Sequence, residues 1–256
     1  MNNFRIIKRL LTLLFFAAVF ISFTKIKESP NSDSSIVKIS FINTVKNSRI
    51  VLNDSVYTNP FEEKYTISKL RYYVTNVSLN NGSKSFMEKN SYHLIDESKE
   101  ESQSFTFNVP AGNYNSIQFL LGVDSLHNVS GAQTGDLDPT KDMFWTWNSG
   151  YVMAKMEGNS PSSTLVNNKY EFHIGGYAGP YNVIKKVQLD FHNKGLEVAA
   201  GKTIEIMINA DINTWWSDAN DIKIAEHANI TSPGKFALAI SDNYAKMFSI
   251  EKIISE

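Results

Sequence analysis

Apolar and polar positions alternate with period two over much of the chain, the pattern of strands with one face in a core and one in water. Val37, Ile39 and Phe41 alternate with Lys38 and Ser40. Tyr73, Thr75, Val77 and Leu79 alternate with Val74, Asn76 and Ser78 up to an Asn81-Gly82 turn. Phe105, Phe107 and Val109 lead into Pro110-Ala111-Gly112, after which Ile117, Phe119, Leu121 and Val123 form the next candidate. Val187, Leu189 and Phe191, then Ile204, Ile206, Ile208 and Ala210, continue the series. Short strands separated by turns predict an all-β, antiparallel β-sandwich-like domain. One short C-terminal helix is expected, with Ser241-Asp242-Asn243 as its cap and Tyr244, Met247 and Phe248 on one face. There is no internal repeat.

The first residues break this pattern. Arg5, Lys8 and Arg9 precede an apolar run from Leu10 to Phe23 and then the polar segment KIKESPNSDSS. This is the layout of a secretory signal peptide, and the run is shorter than the roughly 18 residues of a membrane span. The expectation is a signal peptide over 1–25, a linker over 26–35 and a β-rich domain over 36–256, periplasmic or secreted and not integral to the membrane once processed. The chain has no Cys, so neither lipidation at a cysteine, disulfides nor thiolate chemistry is available. Any metal site must use His, Met, carboxylate or backbone oxygen. The 25 basic and 26 acidic residues give a net charge of −1; without the four cations up to Lys25 it is −5. A mildly acidic domain argues against nucleic acid and anionic membrane surfaces as partners.

GxSxG, HExxH, Walker and GxGxxG motifs are absent, so the common hydrolase, metalloprotease and nucleotide-binding readings lack their parts, and a non-enzymatic protein is expected. Aromatics, glycines and one histidine concentrate between Met143 and Gly176. In an extended segment Trp145 and Trp147 point to one side. In the later stretch Tyr170, Phe172 and Ile174 share one face, with Glu171 and His173 on the other, and two glycines follow at once.

These residues resemble the MbnP family, periplasmic copper-binding proteins associated with methanobactin operons, in its bacteroidete-type form. The resemblance is carried by Gly122-Val123-Asp124 with Asn128, Leu137-Asp138-Pro139, Met143-Phe144-Trp145-x-Trp147-x-x-Gly150-Tyr151, Glu157-Gly158 and Phe172-His173-x-Gly175. It implies a copper site of histidine and kynurenine, the ring-opened oxidation product of tryptophan, made by a dihaem cytochrome c peroxidase-like partner. The indole nitrogen is a poor ligand because its lone pair belongs to the ring; kynurenine exposes an aromatic amine, which suits copper beside imidazole.

Carried onto this chain, the histidine is His173 and the tryptophans are Trp145 and Trp147. The second imidazole stays open among His93, His127 and His227, each also readable as a surface or network residue. Met143, Met153 and Met156 read as thioether donors or as core filling. Asp124, Asp136, Asp138 and Asp142 read as turn residues or as a calcium loop without EF-hand spacing. Trp215 and Trp216 read as packing. The alternative function is a recognition module that binds carbohydrate or peptide through exposed Trp145, Trp147 and Tyr151.

Overall fold

The computed structural model describes residues 33–146, 150–191 and 195–255. The expected signal peptide and Trp147 lie outside the described residues. The longer elements are β1 (Ser34–Val45), β2 (Lys69–Asn80), β3 (Tyr92–Asp96), β4 (Ser104–Pro110), β5 (Ser116–Leu121), β6 (Gly150–Asn159), β7 (Lys169–Gly175), β8 (Lys185–Asp190), β9 (Thr203–Asp211) and β10 (Phe248–Ser255). Helices α1 (Ser125–Val129) and α2 (Lys235–Tyr244) join them. The first strand begins inside the expected linker.

Two sheets face each other. In the smaller, β1 lies between β4 and β9, and β10 covers the free side of β9. The larger is built on β2, with β3 on one side; on the other, β2 starts against β6 and continues against β5. β7 extends it beyond β6, and β8 beyond β5. The sandwich is as the alternation predicts, with two parallel pairings, β1 with β9 and the short Asn229–Ile230 with β7.

Alternation explains the core. Val37, Ile39 and Phe41 are buried beside Ile204, Ile206 and Ile208 of the neighbouring strand. Phe41 meets the opposite sheet edge-on, its ring 6.1 Å from Tyr72 and 6.0 Å from Phe119. Such aromatic contacts add to area burial because a ring edge is electropositive and a ring face electronegative.

The expected single face for Tyr73, Thr75, Val77 and Leu79 is corrected by a bulge. Asn76 adopts a left-handed backbone (φ 53°), and the register with β5 shifts there. One extra residue reverses the pleat, so Tyr72 and Val74 share the inner face with Val77 and Leu79, and Tyr73 turns outward. The helix is also displaced from its expected position. It runs from Lys235 to Tyr244, so Ser241 and Asn243 form its last turn instead of its start. There Ser241 donates to the Leu238 carbonyl and Asn243 to the Trp215 and Asn220 carbonyls. Cap-type side chains bond carbonyls as readily as they accept from amides. Phe248 opens β10.

Phe41→Ala should lower unfolding free energy by about 3–5 kcal/mol, since the ring bridges both sheets and its removal leaves a cavity. Urea unfolding checks this; a loss under about 1 kcal/mol would place the core contact elsewhere.

Candidate functional site

The site is built on the outer face of the larger sheet. On β2, β6 and β7, polar residues line up in rows across the strands: Lys69 beside Glu157 beside Glu171, and Arg71 beside Lys155 beside His173. Their neighbours in sequence point into the core, so these charges are confined to one surface.

That surface is crossed by the segment 122–146, which begins where β5 and β6 share one edge of β2. Gly122, with φ 118°, makes the turn; Met153 packs against it, and its sulfur accepts the Val123 amide at 3.1 Å. Asp124 then caps α1 by accepting from the His127 amide. Asn128 is buried. Its side-chain amide donates to the Val123 and Asp124 carbonyls (2.6 and 2.9 Å), and its oxygen accepts the Tyr151 amide at 2.9 Å. The Gly-Val-Asp, Asn and Gly-Tyr motifs are therefore one knot.

Side chains of the sheet hold the rest of the segment by its carbonyls. Tyr73 Oη donates to Asp136 O at 3.0 Å and Tyr151 Oη to Leu137 O at 2.6 Å. Arg71 Nη1 donates to Lys141 O at 3.1 Å. Lys155 Nζ donates to both the carbonyl and the carboxylate of Asp142. Leu137, Met143 and Trp145 turn inward and are buried.

Trp145 lies on Gly175. A Cβ at Gly175 would come within 2.4 Å of the Trp145 ring, so only glycine admits the indole. Residues 173 and 175 project from the same face of β7. The Trp145 indole thus covers the face that carries the His173 imidazole, one step along the strand. Gly158 has a comparable role, since a Cβ there would lie 1.9 Å from the Thr66 carbonyl.

His173 is partly exposed, with Nε2 2.8 Å from Glu157 Oε1. Glu157 is also 3.2 Å from Lys69 Nζ, which lies 3.3 Å from Asp142; Asp142 in turn holds Lys155. The result is a chain of alternating charge. The His173 hydrogen bond holds the Glu157 carboxyl down at about 2; burial opposes this and Lys69 assists. Burial lowers the Lys155 ammonium, and Asp142 pulls it back up.

The other expected ligands lie apart. His93 points between the sheets, stacked on Phe105 at 3.5 Å between ring centres and bound to Glu88. It is thus on the opposite face of the sheet from His173. His127, on α1, holds Asp124 and the Tyr92 hydroxyl through Nδ1. His227 packs on Phe236 of α2. Met143, Met153 and Met156 are buried. Of the loop carboxylates, Asp124 and Asp138 cap short helices, Asp136 holds Lys141 and the Leu94 amide, and Asp142 holds lysines. Among the described residues no three His, Asp or Glu side chains converge as a metal cage.

Trp145 is 7% exposed and Tyr151 1%, which corrects the reading of both as exposed ligand platforms. They are buried because the covering segment brings them onto the sheet. Trp215 and Trp216 are core packing, as expected. The sequence reading missed Lys69, Arg71 and Lys155. Their signal was present as polar residues two apart, in Lys69-x-Arg71 and Lys155-x-Glu157, within otherwise apolar strands.

Fold and site together define a class: a β-sandwich whose larger sheet carries a histidine-bearing polar face beneath a clamped covering segment. The MbnP family model matches residues 34–233, and the chain belongs to the MbnP family. A solved structure, MbnP from Methylosinus trichosporium, is similar over 77% of this chain and 80% of that one, with 12% identity and a TM-score of 0.48. No curated protein matches the chain. Among the described residues no helix is long and apolar enough to cross a membrane.

The depressed Glu157 carboxyl has a consequence in acid. A folded value of about 2 against an ordinary 4.5 means that its stabilisation is present above about pH 4.5 and is lost as pH falls toward 2. The stability gap between wild type and Glu157→Gln, measured by denaturant unfolding, should therefore narrow steadily below about pH 4.5. A gap constant down to about pH 2.5 would mean that the His173–Glu157 pair does not form.

Proposed function

We propose that this chain is an exported, non-enzymatic copper-handling protein, periplasmic or secreted, in which His173 supplies the imidazole donor. The second nitrogen comes from an oxidised tryptophan, Trp145 or its near neighbour Trp147, produced by a dihaem peroxidase-like partner. The observation that carries the reading is the seat of Trp145 on Gly175, which puts an indole on the face of the sheet that carries His173. Membership of the MbnP family supports it.

The donor chemistry fits copper. Glu157 beside Nε2 favours the tautomer with its proton there, which leaves Nδ1 as a lone-pair donor. A carboxylate behind the imidazole is the usual support for a metal-binding histidine, since it orients the ring and raises its basicity. Unmodified Trp145 has no lone pair to give; ring opening would supply an aromatic amine in the same place. Copper supplies a Lewis-acidic, redox-active centre when bound, and nitrogen donors suit it. Lys155 and Lys69 balance the carboxylates around His173.

The test is to express the chain with and without a dihaem peroxidase-like partner, then measure intact mass, bound metal and copper affinity. Wild type matured with the partner should show an oxidised tryptophan and stoichiometric copper. His173→Ala should weaken binding by more than about tenfold. Absence of both oxidation and stoichiometric copper, with no effect of His173→Ala, would overturn the reading.

A further inference from the structure

The polar face continues past Arg71 into a cavity of about 410 Å³ between β3 and the covering segment. We propose that this cavity binds a small zwitterion, an amino acid or short peptide, with its carboxylate on Arg71 and Lys99 and its ammonium toward Asp142. The volume is within the range of small-molecule sites, roughly 300–1,000 Å³. Arg71 is two strands from His173, roughly 10 Å away by strand spacing, so this site is separate from the imidazole.

The walls are of mixed sign and unequally satisfied. Asp96 has Arg71 and Ser98, and Asp136 has Lys141 and the Leu94 amide. The cations differ. Lys99 is exposed, with no acceptor for its ammonium among the described residues. Arg71 Nε is 2.9 Å from Asp96 Oδ2, but the approach is too bent for a hydrogen bond, and this buried N–H has no other acceptor. Arg71 Nη1 is taken by the Lys141 carbonyl. A guanidinium offers five donors in a planar fork, and here it is left underused beside a free ammonium. A carboxylate fits that fork.

A carboxylate beside the guanidinium selects against a pure anion. Asp142 lines the same cavity with 63% of its side chain exposed; Lys155 and Lys69 touch it from the sheet, and Arg71 Nη1 stands 3.8 Å from its Oδ2. An ammonium a few bonds from the carboxylate satisfies that oxygen, whereas a second negative charge meets repulsion.

Calorimetry on the metal-free, full mature chain tests this with glycylglycine as probe, against N-acetyl-glycylglycine and inorganic phosphate. Glycylglycine should bind saturably, Lys99→Gln should weaken it about tenfold or more, and Arg71→Lys should weaken it further by removing the fork. Thermal unfolding of both variants separates loss of binding from loss of fold. Phosphate and the acetylated peptide should bind more weakly. No saturable binding, binding indifferent to Lys99, or equal affinity for the acetylated peptide would overturn the proposal.

Discussion

The carbonyls of the segment 122–146 need partners, and the sheet beneath supplies them. An irregular stretch of chain laid across a β-sheet has no ladder of its own, yet its polar groups must be satisfied. Here Tyr73, Tyr151, Arg71 and Lys155 reach up from the sheet and donate to four carbonyls of that segment. Asn128 ties the start of the segment to Tyr151 at the start of β6. Trp145 is buried because of this clamp, and the face carrying His173 is partly covered because of Trp145.

This arrangement explains why the motifs that mark the family are largely structural. Gly158 and Gly175 allow close approach of the Thr66 carbonyl and the Trp145 ring, and Asn128 and Tyr151 make the knot. Such residues build the surface on which chemistry is placed. The architecture leaves a smaller set partly open: His173, Glu157 and Lys69.

The sandwich was legible because burial on one face imposes period two, and nearly every long strand follows it. The exceptions have local causes. A single left-handed residue, Asn76, flipped Tyr73 to the outer face, and period-two reading has no means of anticipating a bulge inside an apolar run. The helix was found but misplaced, because Ser241 and Asn243 serve its end. His173 on the polar face of its strand was readable from Phe172 and Ile174 beside it. The pairing with Glu157 was not, since it depends on the register of β6 against β7. The separation of the histidines was equally hidden: His93 faces inward only because β3 meets Val74, a position whose orientation the bulge sets.

The proposed function requires a metal held by His173 to lie beside Trp145. Quenching of intrinsic tryptophan fluorescence by Cu(II) tests it directly, because such quenching acts at short range while Trp215 and Trp216 are buried in the core. Titration of the chain expressed without the peroxidase-like partner, so that its tryptophans stay unoxidised, should give saturable quenching that His173→Ala abolishes and Trp145→Phe reduces. Quenching that is absent, or that survives unchanged in both variants, would contradict the account.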